Sequence, residues 1–104
     1  MSRLDKIAAR LVASISESEL LALLKQFEER ERKYGRDPGV MTLEERPFSR
    51  KNYPGIPSSV VPDGAAIDIR ALTSDGIALY FGLGKTKQDA MDDLAKNLKK
   101  GLWR

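Results

Sequence analysis

Apolar residues recur at helical spacing near the start of the chain. Between residues 2 and 15 they follow the i, i+3, i+4, i+7 rule of an amphipathic helix. Ser2 precedes Asp5 by three residues, which resembles a helix-capping arrangement. The pattern predicts a first helix over residues 2–15, with an apolar face formed by Leu4, Ile7, Ala8, Leu11, Val12 and Ile15.

A second helix is predicted directly after the first. Ser16 and Glu19 have the spacing of a capping box, and an apolar run over residues 20–24 follows at once. The helix should continue to about Tyr34, because Gly35 is a natural C-terminal stop. The first third of the chain, residues 1–34, is therefore predicted to be a helical pair.

Residues 35–64 form a proline-rich connection. They contain all five prolines of the chain, which excludes a long helix or a central strand. One short helical turn is predicted at residues 42–45, because Thr42 and Glu45 again have capping-box spacing. A connection of this length is usually functional or packs as an extended wrap.

Residues 65–104 are predicted to form a strand–strand–helix (ββα) unit. Apolar residues alternate from Ile67 to Ala71, and Asp75-Gly76 is a strong hairpin-turn signal. The return strand places three apolar side chains on one side: Ile77, Leu79 and Phe81. A last helix should begin near Thr86 and run to about Lys100, with a buried stripe of Ala90, Met91, Leu94, Ala95 and Leu98.

These elements predict the fold class. A third strand would have to come from residues 58–61. We therefore expect a single α+β domain spanning residues 1–104. It consists of an N-terminal helical pair, a proline-rich wrap, and an antiparallel two- or three-stranded sheet packed by the C-terminal helix.

The composition removes most catalytic chemistry. The chain has no His and no Cys, which excludes zinc sites, Ser-His-Asp triads and Cys-His dyads. No pair of carboxylates and no Lys stands out as a site, so we expect no enzyme, no catalytic residue, and no bound metal or cofactor. The lack of Cys and of any long apolar run is typical of a cytoplasmic protein without a membrane segment.

The charge adds one candidate site. A net charge of +3 is too small to predict nucleic-acid binding by itself. The segment Gly82–Ala90, between the return strand and the last helix, is more specific. Lys85, Lys87 and the free N–H groups of the helix start could together bind an anion.

Residues 67–98 resemble the C-terminal half of a double-stranded-RNA-binding domain. Both have two antiparallel strands, then Gly-x-Gly-x-Ser/Thr-Lys, then a helix with Ala at set positions. The matching residues here are Gly82, Gly84, Thr86, Lys87, Ala90, Ala95 and Leu98. The resemblance implies that the lysines opening the helix contact phosphates. Gln88 and Met91 stand where the family pattern has basic residues.

The same stretch is similar to the sheet-plus-helix DNA-binding modules of plant AP2 factors and of integrase arm-binding domains. In those modules the sheet enters the groove, which implies that Arg70 and Tyr80 face the nucleic acid. A third interpretation stays open, in which the stretch is only a ββα packing unit. Thr86 then caps the helix, Ala90 packs on the sheet, and the Asp-to-Lys order along the helix matches its dipole.

The segment 46–54 is the second candidate site. Basic and aromatic residues alternate there on a proline-stiffened loop, which suits base stacking with phosphate contact, or an Arg/Tyr hot spot for a protein. The basic residues are Arg46, Arg50 and Lys51, and the aromatic residues are Phe48 and Tyr53. The alternative is that the aromatic residues anchor the wrap while the charges point to water.

Two functions follow from these candidates. The first is a nucleic-acid-binding module, for RNA, DNA or a nucleic-acid–protein complex, that uses Arg70, Tyr80, Lys85, Lys87 and the basic residues of segment 46–51. The alternative is a protein-binding adaptor or inhibitor of a host protein, such as a small phage-type regulator, that uses Phe48, Arg50 and Tyr53. Convergence of the basic residues on one face would favour nucleic acid, and scattering would favour the adaptor.

Overall fold

The structure, a computed structural model, describes residues 14–102 of the chain. The predicted first helix therefore lies almost entirely outside the described residues. Its last two predicted residues, Ser14 and Ile15, are described and are not helical. Within residues 14–102, no helix is long and apolar enough to cross a membrane.

The first described helix, α1, spans Glu17–Lys33 and is delimited as the sequence predicts. Ser16 and Glu19 form the capping box, each side chain accepting a hydrogen bond from the backbone N–H of the other. Gly35 follows the helix with a φ of +80°, a conformation that glycine adopts without steric cost. The residues at both ends therefore determine the extent of α1.

Three antiparallel strands form one sheet in the order β1-β2-β3: β1 is Thr42–Pro47, β2 is Ile67–Leu72 and β3 is Ala78–Gly84. The predicted hairpin is confirmed as β2 and β3, and Gly76 in its turn has a φ of +82°. The α+β class is confirmed as well, with a three-stranded sheet packed by the C-terminal helix.

The helical turn predicted at residues 42–45 is wrong, because these residues belong to β1. Each charged residue of β1 that faces away from the helices has an opposite charge directly across the ladder. Glu44 is opposite Arg70, and Arg46 is opposite Asp68. Such cross-strand pairs stabilise a strand that has little apolar alternation.

The third strand predicted at residues 58–61 is also wrong. Ser58–Val60 forms a short 3-10 turn, and β1 takes the place of the third strand. The prolines on either side, Pro57 and Pro62, remove N–H donors that a strand would need. Pro47 is tolerated in β1 because β1 is an edge strand and Pro47 is its last residue.

The last helix, α2, spans Lys87–Leu102 and packs with α1 on one face of the sheet. Gly82 of β3 lies directly against α2: an added Cβ would stand 2.7 Å from the Cβ of Leu94. The Phe27 ring of α1 meets the Tyr80 ring of β3 edge to face at 5.2 Å. The predicted stripe of α2 is buried and joins a core of Ile15, Leu20, Leu24, Phe27, Met41, Ile69, Ala71, Ala90, Met91, Leu94, Ala95 and Leu98.

The connection between β1 and β2, residues 48–66, is hereafter the β1–β2 loop. A hydrogen bond from the Phe48 N–H to the Ala66 carbonyl, 2.9 Å long, closes its base. The Tyr53 ring contacts Phe81, which lies on the sheet face opposite the helices, and the Phe48 ring stacks on Tyr53. The loop therefore covers part of the face that the helices leave open.

Candidate functional site

A buried carboxylate lies at the centre of the sheet. Asp68 on β2 has no solvent exposure. Its Oδ2 accepts one hydrogen bond from Arg46 Nε and one from the Tyr53 hydroxyl, each 2.7 Å long. Its Oδ1 has no hydrogen-bond partner within the described residues. These three residues are hereafter the Asp68 cluster.

The Asp68 cluster shifts the pKa values of its members. Burial, together with the hydrogen bond to Asp68, raises the pKa of Tyr53 to about 12. The hydrogen bond to the Asp68 carboxylate also raises the pKa of Arg46 above its usual value. Both Tyr53 and Arg46 therefore stay protonated at neutral pH and donate to the buried carboxylate.

The aromatic residues of segment 46–54 pack onto the protein itself. The Tyr53 ring is 4.7 Å from the Phe81 ring and 6.3 Å from the Phe48 ring. Arg50 donates to the carbonyls of Tyr53 and Ile56 within the loop. The aromatic contacts are those of the alternative interpretation, in which Phe48 and Tyr53 anchor the wrap. The arginines differ from it, because Arg46 and Arg50 donate to protein acceptors instead of pointing only to water.

Arg70 and Tyr80 lie on opposite faces of the sheet. Arg70 is opposite Phe81 in the ladder and forms an ion pair with Glu44, with Nε 3.0 Å from the carboxylate. The Tyr80 ring instead packs under α1 and against Gly101 of α2. The structure therefore does not bring these two side chains to one nucleic-acid-binding face.

The lysines at the start of α2 also separate. Lys87 lies between two carboxylates, with Nζ 3.5 Å from Glu45 and 3.9 Å from Glu17. Lys85 is exposed and has no ion-pair partner among residues 14–102. The Thr86 hydroxyl accepts a hydrogen bond from the Asp89 N–H, which is the capping role that the packing-unit interpretation gives it.

The predicted basic residues thus do not form one positive surface. Arg46 and Arg70 lie on the loop side of the sheet, each beside a carboxylate, and Lys87 is paired near α1. Lys51 is exposed on the β1–β2 loop. Three of the predicted basic residues, Arg46, Arg70 and Lys87, are thus paired with carboxylates.

A different cluster, which sequence reasoning missed, lies along the outer edge of β3. We call it the β3 edge site, a depression of about 480 Å³ between the β1–β2 loop and α2. Val60 and Leu79 are its apolar members and are 55% and 43% exposed. The other lining residues are Ser59, Tyr80, Phe81, Asp93, Lys96, Asn97, Lys100 and Gly101. No sequence signal links Val60 to Leu79, because only the folded loop brings them to one depression.

Asn97 holds the floor of the β3 edge site in place. Its side-chain amide donates to the Phe81 carbonyl at 2.7 Å, and Asp93 accepts from the Leu83 N–H at 2.9 Å. These bonds satisfy outward-facing backbone groups of the edge strand, which protects it against pairing with another strand. The Phe81 carbonyl and the Leu83 N–H of this edge are therefore already engaged by side chains of α2.

A second groove of about 940 Å³ lies next to this site. It brings Lys85 together with three lysines from the last turns of α2, Lys96, Lys99 and Lys100. Four carboxylates line the same groove: Asp63, Asp89, Asp92 and Asp93. Its formal charges therefore balance.

Neither a metal-binding cluster nor similarity to a known protein assigns a function to this chain. Among the described residues, no group of three or more His, Cys, Asp or Glu side chains could hold a metal ion. No protein family, curated protein or solved structure was found that matches this chain. A functional assignment therefore rests on the geometry described above.

Proposed function

We propose that this chain is a non-enzymatic protein-binding adaptor and that the β3 edge site is its binding surface. The observation that carries the proposal is the pair of exposed apolar side chains, Val60 and Leu79, beside Phe81 in one depression. An apolar patch surrounded by polar residues is typical of a protein interaction site. Burying a Val or Leu side chain fully contributes roughly 1.5–3 kcal/mol.

The rim of the β3 edge site indicates the chemistry of the partner. It carries two lysines and one carboxylate. Lys96 and Lys100 are exposed, and neither has an ion-pair partner within residues 14–102, whereas Asp93 already accepts a hydrogen bond from the Leu83 N–H. A partner segment with one or two apolar side chains flanked by Asp or Glu would bury the patch and pair with both lysines. Charges at the rim chiefly raise the association rate and select the partner.

The proposal is tested by comparing two exposed leucines. Leu79 in the β3 edge site is 43% exposed, and Leu21 on α1 is 45% exposed, so Leu21 is a matched control. A partner is first captured with the 104-residue chain and identified, and its affinity is then measured with purified proteins. We expect Leu79→Asp to weaken the complex at least roughly tenfold, because it places a charge in an apolar contact.

The same affinity measurement supplies the control and the results that would contradict the proposal. Leu21→Asp should bind the partner as the unchanged chain does, and circular dichroism should show both variants folded. Wild-type affinity in Leu79→Asp, or an equal loss in Leu21→Asp, would rule out the β3 edge site as the binding surface.

Nucleic-acid binding is the second candidate, favoured by one observation. Four lysines without ion-pair partners among the described residues line the larger groove, beside the four carboxylates named above: Lys85, Lys96, Lys99 and Lys100. Duplex RNA, duplex DNA and single strands should then bind with an affinity that falls steeply with salt, and Lys85→Gln should reduce the salt dependence. Absent or salt-insensitive binding would exclude this candidate and leave the adaptor.

A further inference from the structure

The β1–β2 loop supplies one wall of the β3 edge site. Val60 lies in the loop, far in sequence from Leu79 on β3, and both line the same depression. The loop contains no regular element longer than the 3-10 turns Arg50–Asn52 and Ser58–Val60. Backbone hydrogen bonds hold its two ends, from the Phe48 N–H to the Ala66 carbonyl and from the Ala66 N–H to the Gly84 carbonyl. The position of the middle of the loop over the sheet therefore depends on side-chain contacts.

Those contacts concentrate at Tyr53. Its hydroxyl donates to buried Asp68 at 2.7 Å, and its ring lies 4.7 Å from the Phe81 ring. Phe81 also lines the β3 edge site. One side chain of the loop thus contacts both the centre of the sheet and a residue of the binding surface.

Tyr53 is one of only two hydrogen-bond donors to Asp68 within the described residues. Among the described residues, the carboxylate accepts only from Arg46 and Tyr53, and one oxygen accepts none. A buried carboxylate loses a strong, charge-assisted bond when either donor leaves. The loop conformation that keeps the Tyr53 hydroxyl on Asp68 is therefore strongly preferred over the alternatives.

We propose that Tyr53 is a positioning residue for the β3 edge site. Through Asp68 and Phe81 it holds the β1–β2 loop so that Val60 forms the wall opposite Leu79. The inference rests on the proposed function, since it explains how that same surface is assembled. It assigns Tyr53 a role inside the molecule and no contact with the partner.

The test removes one hydroxyl group and measures the position of the β1–β2 loop separately from the affinity for the partner. Tyr53→Phe keeps the ring that packs on Phe48 and Phe81. Tyr34→Phe is the matched control, because Tyr34 is 62% exposed and its hydroxyl has no hydrogen bond to any residue of the described range 14–102. The chain has no Cys, so a spin label on Ser59→Cys reports the distance from the loop to the Leu79 methyl groups by paramagnetic relaxation.

Tyr53→Phe should weaken the relaxation of the Leu79 methyl groups, speed amide exchange at Ile56, and lower partner affinity roughly tenfold, the scale of one hydrogen bond to a charged group. Tyr34→Phe should change none of the three. Unchanged relaxation and exchange in Tyr53→Phe would overturn the positioning role, and so would a displaced loop with wild-type affinity.

These outcomes stay separate from those of the proposed function. The relaxation and exchange measurements need no partner, whereas the binding surface is judged by Leu79→Asp. A displaced loop combined with no effect of Leu79→Asp would overturn the adaptor site, and with it the role of Tyr53 in binding. An undisplaced loop combined with a clear Leu79→Asp effect would overturn the positioning role alone.

Discussion

Arg46 and Arg70 each face a carboxylate across the sheet, and the burial of that carboxylate distinguishes them. Asp68 beside Arg46 is fully buried, whereas the Glu44 side chain beside Arg70 is 42% exposed. Removing one partner of a buried pair leaves an uncompensated charge and costs about 3–5 kcal/mol. An exposed pair contributes less than about 1 kcal/mol.

We therefore expect Arg46→Gln to lower the free energy of unfolding by about 3 kcal/mol. Arg70→Gln, with the same chemical change one strand away, should lower it by less than about 1 kcal/mol. Urea denaturation followed by circular dichroism measures both. Equal losses in the two variants would show that the burial of Asp68 does not set the strength of its pair.

Because of Tyr53, the free energy of unfolding depends on pH in the alkaline range. The pKa of Tyr53 is raised to about 12 in the folded chain, above the usual value of about 10 that it has when unfolded. Between these values the unfolded chain loses the phenol proton while the folded chain keeps it, so stability falls as pH rises. The contribution is complete below about pH 10 and is lost towards pH 12.

The measurement is the difference between the unchanged chain and Tyr53→Phe across this pH range. The unchanged chain should lose more unfolding free energy than Tyr53→Phe, since both share every other titrating group. Parallel losses in the two chains would mean that the Tyr53 hydroxyl is not held by Asp68.

At the scale of elements, the contact between β3 and α2 depends on a residue without a side chain. A Cβ on Gly82 would clash with backbone atoms of Ala90 and Leu94, which cannot move without shifting the helix. Gly82→Ala should therefore destabilise the fold by roughly 1–3 kcal/mol through overpacking. Gly55→Ala, in the β1–β2 loop, is the control because a Cβ there meets nothing within 4 Å.

Thermal unfolding followed by circular dichroism tests this pair of variants. Gly82→Ala should melt several degrees lower, and Gly55→Ala should melt within about a degree or two of the unchanged chain. A wild-type melting temperature for Gly82→Ala would show that α2 does not approach β3 as closely as the structure has it.

The elements with local end signals could be predicted from the sequence. Ser16, Glu19 and Gly35 set the ends of α1, and Asp75-Gly76 marks the β2–β3 turn. β1 could not be predicted, because its charged residues carry no apolar alternation and their partners, Arg70, Asp68 and Lys87, lie far away in the sequence. Local sequence cannot report a partner that tertiary structure supplies.

The same limit applies to the candidate site. Arg46 and Tyr53 have the composition of a binding loop, but both donate to Asp68, which the alternation of β2 did not mark as buried. The exposed apolar pair of the β3 edge site lies on two segments that only the folded loop joins. The sequence predicts which residue types are available, and the fold decides which of them remain free.

At the scale of the whole molecule, α1, the sheet and α2 share one buried core. Leu24 of α1 and Leu98 of α2 are almost fully buried and belong to the same cluster as Ile69 of β2. Neither helix has a separate apolar core among the described residues, since α2 lies on the sheet, α1 packs chiefly against α2, and the buried side chains of both belong to one cluster. The described part of the chain should therefore unfold as one cooperative unit.

Residue-specific amide signals recorded during urea titration test this cooperativity. Leu24→Ala and Leu98→Ala should each cost about 2–5 kcal/mol, because each leaves a cavity in the shared core. In either variant, the amides of α1, β2 and α2 should keep one common midpoint. If Leu24→Ala lowered the midpoint of α1 alone, α1 would be an independently stable attachment, and the sheet with α2 would be the only folding unit. If the midpoints of all three elements shift together, a substitution in either helix lowers the stability of the whole described part, the β3 edge site included. The effects of substitutions on binding must then be measured at urea concentrations well below the unfolding midpoint.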